Sequence, residues 1–162
     1  MRTCVGIDNG VTGTIGIILA DGHSRFYKTP VKLEQSYTKK KQNISRILVK
    51  DLRGILLDVD KNCMVYVERP MLNSTRFKAS ISASRALEAT LNVIELLELP
   101  YQYIDSKEWQ RELLPKGIKG TDELKKASKD IGIRMFPHFK ELIEKHGDAD
   151  GILIAEYARR QF

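Results

Sequence analysis

Apolar residues along this chain follow two rhythms: short runs bounded by turn residues, and longer stretches with helical spacing. Thr3–Ile7 is an apolar run, Asp8-Asn9-Gly10 and Thr12-Gly13 supply turn chemistry, and residues 14–19 are a second β-rich run. This predicts a hairpin with Asp8 at the end of its first strand. A turn at Asp21-Gly22 leads into residues 24–29, so the chain opens with a three-stranded antiparallel meander that Pro30 closes. Over residues 38–59 the positions Ile44, Ile47, Leu48, Leu52, Ile55 and Leu56 predict one helix, with Lys39-Lys40-Lys41 at or before its start. Residues 64–67 predict a fourth strand that ends in Glu68 and is stopped by Pro70. A long helical pattern through Ile81, Leu87, Leu91, Ile94 and Leu97 ends at Pro100, and residues 101–104 predict a fifth strand. Asp105 or Ser106 caps a short helix through Trp109, Leu113 and Leu114, and the Gly-Lys loop of residues 115–120 precedes a helix from Thr121 toward Met135. A last helix covers residues 149–157, with Arg159-Arg160 in its final turn. This order predicts an α/β fold: a five-stranded mixed sheet, a meander plus two helix-connected strands, flanked by helices.

The 162 residues suit one domain over 1–162 and leave no room for two related lobes. With 27 Lys+Arg against 21 Asp+Glu, the net charge of +6 suits a polyanionic partner, because binding phosphates releases condensed counterions. Cys4 and Cys63 lie in apolar runs and read as small buried hydrophobes, so neither a disulfide nor a zinc site is expected. No stretch approaches the roughly eighteen apolar residues of a membrane span, and the N-terminus lacks a signal-peptide layout. The expected location is a reducing, DNA-containing compartment.

Hydrolysing a phosphodiester at neutral pH needs a nucleophilic water and relief of charge on the attacking and leaving oxygens. Two divalent ions roughly 3.5–4 Å apart do both, and hard oxygen ligands hold them. Such chemistry requires carboxylates from separate elements meeting at one point. Asp8 and Glu68 each end an apolar strand, while Asp148 and Asp150 open the last helix beside Gly147, Ala149 and Gly151. Each acid also has a plain structural use: Asp8 in a turn, Glu68 paired with Arg69, Asp148 as an N-cap. Their joint placement favours the metal site, and if the first and fourth strands are neighbours their acids stand side by side.

Gly6-Ile7-Asp8-Asn9-Gly10 with Thr12-Gly13, Val65-Tyr66-Val67-Glu68 before a long helix, and Asp148-Ala149-Asp150-Gly151-Ile152-Leu153-Ile154-Ala155 together resemble the RuvC-type Holliday junction resolvases. The resemblance spans nearly the whole chain and bears most strongly on phage-type members. It implies an RNase H-like fold and a homodimer that nicks four-way DNA junctions in pairs. It also implies two Mg2+ ions per site, with Mn2+ as a substitute and no small-molecule cofactor; Asp8, Glu68, Asp148 and Asp150 would be the catalytic ligands.

Two departures from the family pattern stand out. The residue three before Asp150 is Gly147 where the family has an acid or histidine, and aspartates two apart point to nearly opposite sides of a helix. Asp150 is therefore taken as the family-equivalent ligand, and Asp148 joins it only from the helix cap. His146 is a candidate proton carrier, although a lone histidine is more often structural. The second departure is Met71, in the place of an aromatic that wedges into the junction in bacterial members; an apolar wedge there is still feasible.

Arg69, Arg76 and Lys78 after the acidic strand, and Lys107, Lys116, Lys119, Lys125 and Lys126 around the Gly-Lys loop, are the DNA-binding candidates. The small-residue side of the long helix, Ala79, Ala83, Ala86 and Ala89, is either a dimer face or packing against the chain's own sheet. Rival readings are a nuclease of the same fold acting on RNA:DNA hybrid or structured RNA, a non-catalytic junction-binding protein, and an actin-like sugar kinase, which needs a second lobe.

Overall fold

The computed structural model describes residues 1–162. Its centre is a five-stranded sheet in the order β3-β2-β1-β6-β7, built from β1 (Thr3–Ile7), β2 (Thr14–Ile18), β3 (Ser24–Lys28), β6 (Cys63–Glu68) and β7 (Tyr101–Ile104). The first three strands form the expected antiparallel meander, with Cys4 opposite Ile18 and Gly16 opposite Phe26. β6 runs parallel to β1 and β7 parallel to β6. β1 and β2 are buried along their whole length, which explains their continuous apolar sequences: both faces are covered, so no polar alternation is needed.

Each face of the sheet carries its own core. Val5, Ile7, Val65 and Val67 project to one side, where they pack on α1 (Val49–Leu56) and α2 (Phe77–Leu96) through Leu52, Leu56, Ala86, Val93 and Ile94. Cys4 and Tyr66, of opposite strand parity, project to the other side, onto α3 (Ser106–Leu113), α4 (Thr121–Met135), α5 (Lys140–His146) and α6 (Asp150–Arg160). α6 lies directly on β1 and β2. A Cβ on Gly6 would sit 2.3 Å from the Ala155 nitrogen, and one on Gly16 would sit 2.2 Å from the Ile152 Cα. The bare glycines let helix and sheet backbones touch.

Residues 38–59 do not form one helix. Val31–Gln35 (β4) and Asn43–Ile47 (β5) pair as a separate antiparallel hairpin, Lys39-Lys40-Lys41 lie in its exposed loop, and helix begins only at Val49. Ile44 and Ile47 satisfy helical spacing over so short a run that periodicity cannot distinguish helix from strand. The hairpin is held by contacts remote in sequence: Arg46 pairs with Glu34 across the strands at 2.6 Å, and the Arg85 guanidinium lies 5.3 Å from the Tyr37 ring centre. Asp105 caps α3 in a capping box with Glu108, as its sequence suggests. α5 has no counterpart among the predicted elements; it is a seven-residue segment that ends at Gly147 in the left-handed conformation. Both cysteines are buried and unbridged, and no helix is long and apolar enough to cross a membrane.

Candidate active site

β1 and β6 are in register with Ile7 opposite Val67, so Asp8 and Glu68 leave the sheet at the same level on adjacent strands. Strand parity turns both toward the α6 face, because Asp8 alternates with Cys4 and Gly6, and Glu68 with Met64 and Tyr66. The two carboxyl groups share a hydrogen bond.

Asp148 and Asp150 enter from the start of α6. The helix start is set by the sheet itself: the Gly151 N–H donates to Thr14 Oγ1 at 2.9 Å, and a Cβ on Gly151 would lie 2.5 Å from the Thr14 carbonyl oxygen. Asp148 precedes the helix, so its non-helical backbone lets it face the same point as Asp150, and its Oδ1 accepts the Asp150 N–H at 3.3 Å. Ala149 is the N-cap, so Asp148 stands one residue ahead of it and still satisfies the first helical N–H while offering a carboxylate. Oxygens of Asp8, Asp148 and Asp150 all lie within 4.8 Å of one another, and Glu68 adjoins this group through Asp8.

These acids are crowded and poorly compensated. Burial pushes the Asp8 carboxyl well above the usual carboxylate range, and the charges of Glu68 and Asp150 add to the shift. Burial also raises Glu68, against hydrogen bonds with Asp8 and Trp109 that lower it. Asp150 is pushed up to about 7, first by burial and then by Asp148, with the Ser128 hydroxyl and Lys125 pulling the other way. Of the four acids only Asp148 has a basic side chain within pairing distance, the His146 imidazole at 3.7 Å. Arg69 does not pair with Glu68; its Nε bonds Asp105 at 3.0 Å and its guanidinium lies 5.2 Å from the Tyr103 ring centre. Four hard carboxylates without an arginine or lysine counter-ion form a donor set that fits divalent cations.

Two neighbours orient the acids and were not singled out from sequence. Trp109, completely buried, donates its indole N–H to Glu68 Oε1 at 3.3 Å. Ser128 donates its hydroxyl to Asp150 Oδ1 while its oxygen accepts the Ala149 N–H at 3.0 Å. Only one signal pointed to Ser128: a small polar residue on the side of α4 that also carries Leu124 and Ile131.

The predicted DNA-binding residues scatter around this centre. Lys125 comes near Asp150 and lines a cavity that Asp148 also lines. Lys107 and Lys116 line a different cavity with Gly117, and Lys119 and Lys126 are exposed nearby in chain order. Arg76 and Lys78 are exposed at the start of α2, and Met71 is 85% exposed on the loop after β6. On α2, Ala86 is buried against the sheet whereas Ala79 is exposed, so own-sheet packing accounts for only part of the small-residue side.

No family model matches the sequence, and no curated protein matches it significantly. Among solved structures, T. thermophilus RuvC in complex with a Holliday junction substrate superposes with a TM-score of 0.55 at 17% identity, covering 99% of this chain and 97% of that one. A second structure of Thermus thermophilus RuvC gives a TM-score of 0.47 at 19% identity with the same coverage. The five-stranded mixed sheet flanked by helices is the RNase H-like fold, and across almost its entire length this chain has the fold of RuvC.

Proposed function

We propose that this chain is a divalent-metal-dependent endonuclease of the RuvC type, which resolves four-way DNA junctions as a homodimer by paired nicking in the cytoplasm of a bacterial or phage-infected cell. The observation that carries the reading is the convergence of Asp8, Glu68, Asp148 and Asp150 with no arginine or lysine ion pair among them. The RuvC fold and the positive net charge support it.

Asp8, Asp148 and Asp150 are the residues that would hold the metal, with Glu68 completing the set. Two Mg2+ ions, or Mn2+ in their place, would supply a reactive water and neutralise charge on the phosphate. The protein's own contribution is orientation. Trp109 and Ser128 each fix one carboxylate, and Asp148 is held by the α6 backbone. His146, beside Asp148 in the lining of a cavity, would be the group that passes a proton to the departing oxygen. Arg76, Lys78, Lys107, Lys116, Lys119, Lys125 and Lys126 contribute phosphate contacts, and Arg69 does so at its rim once freed from Asp105. Met71, exposed on its loop, is the apolar wedge at the junction centre.

Cleavage of a synthetic four-way junction, an RNA:DNA hybrid and a linear duplex, each with and without Mg2+, tests the reading. Metal-dependent cutting of the junction, lost in Asp8→Asn and Glu68→Gln while binding is retained, is expected. Preferential cutting of the hybrid would replace the substrate. No cutting with either Mg2+ or Mn2+ would make this a binding protein.

A further inference from the structure

A cavity of about 410 Å³ borders the acid cluster on the β3 side. Lys28 from β3, Lys125 from α4 and Lys145 from α5 line it, with Thr12 at its mouth. Asp148 belongs both to this cavity and to the cluster, so the two sites share a wall. None of the three lysines forms an ion pair with the acids, although Lys125 pulls the Asp150 carboxyl down through its charge. The lysine ion pairs in this protein use Lys32, Lys61 and Lys140, and none of the cluster acids pairs with a lysine.

Three lysines from three elements line one concavity whose single acid is Asp148, so their mutual repulsion is only partly offset. Ammonium groups are strongly hydrated point charges, well suited to phosphate and poorly suited to carry base identity. We infer that this cavity is a phosphate subsite, formed by Lys28, Lys125 and Lys145, for a backbone phosphate immediately next to the scissile one in the bound strand. The assignment rests on the nuclease reading and adds two residues, Lys145 just ahead of the Asp148 motif and Lys28, which stands far from any acidic motif in sequence. It also gives the strand a direction across the site. One flank of the cut is held by charge against α4, α5 and the edge strand, while the other faces the loop after β6 that carries Met71.

A thermodynamic cycle localises the contact. Junction binding is measured in the Asp8→Asn background, which prevents cutting, using junctions with a single uncharged methylphosphonate at successive positions on both sides of the scissile phosphate. Neutralising one linkage next to the cut should weaken binding severalfold with Lys28 and Lys145 present and have little further effect in Lys28→Ala/Lys145→Ala. The double variant should also reduce the salt slope of binding by at most about 0.9, the value for one phosphate contact. Lys50→Ala, which removes a charge from α1, should leave the pattern along the strand as it is. Because Lys28 and Lys145 form no ion pairs, the double variant should melt with the parent, so a changed binding pattern reports contact rather than misfolding. Equal effects of methylphosphonate at every position in both proteins would overturn the subsite. That failure leaves the nuclease reading intact, which stands or falls on metal-dependent cleavage by the wild-type protein.

Discussion

Trp109, wholly buried beneath the sheet, holds Glu68 by a single indole N–H hydrogen bond of 3.3 Å. This bond links the α3 packing core to the candidate metal site. Trp109→Phe keeps an aromatic ring but removes the donor, leaving Glu68 held only through Asp8. Losses of an outer-shell partner typically cost about 10–100-fold in metal affinity or activity. The Mg2+ concentration for half-maximal junction cleavage should therefore rise, and a metal titration identical to wild type would show that the bond does not orient Glu68.

The acid cluster is a site of stored repulsion in the metal-free protein. Asp8→Asn removes a buried carboxyl whose ionisation is opposed by burial and by Glu68 and Asp150, so it should raise the melting temperature in EDTA while abolishing cleavage. A gain of 1 kcal/mol corresponds to about 2–4 °C for a domain of this size. Mg2+ should stabilise the wild type and have less effect on Asp8→Asn. Calorimetry in EDTA and in Mg2+ checks both signs, and a destabilised Asp8→Asn without metal would contradict the repulsion.

On the far end of α6 the electrostatics are reversed. Glu156 is 2% exposed; burial pushes its carboxyl up, but hydrogen bonds from Arg159 and Arg160 outweigh this and leave it below its ordinary value. A carboxylate with a depressed folded-state pKa stabilises the fold above its unfolded value of about 4.3, and that contribution disappears as pH falls through the folded value. Glu156→Gln should melt below wild type at pH 7, and the gap should close as pH falls below about 4. A gap that is constant with pH would mean that shape, rather than charge, holds this end of the helix.

Two glycines predict opposite outcomes. Gly16→Ala would force a Cβ to within 2.2 Å of the α6 backbone, separating α6 from the sheet and displacing Asp150 from Asp8. A large loss of thermal stability and of metal response is expected. Gly54, inside α1, has nothing within 4 Å of an added Cβ, so Gly54→Ala should stabilise by about 0.5–1 kcal/mol. Melting curves of the two variants compare the effects directly.

The strands that carry the acids were legible because burial on both faces demands uninterrupted apolar runs, and the acids stand where those runs stop. Asp8 and Glu68 could thus be named before their strands were known to be neighbours. The pairing of Glu68 with Arg69 was equally consistent with local sequence; the structure gives Arg69 to Asp105 instead. The β4–β5 hairpin is hidden from the sequence pattern because its loop has no glycine or proline and its partners, Glu34 with Arg46 and Tyr37 with Arg85 among them, are contacts that spacing along the chain does not encode.

Local chemistry by itself determined where strands and most helices begin and end, which acids stood at their ends, and that the chain favours a polyanion. Those properties depend on neighbours a few residues apart. Only the tertiary structure decided that Asp148 and Asp150 meet Asp8, that Trp109 and Ser128 steady two of the acids, and that Lys28 and Lys145 join Lys125. Each of these is a distance between elements remote along the backbone, set by glycine-close packing of α6 on β1 and β2 and by the β1–β6 register.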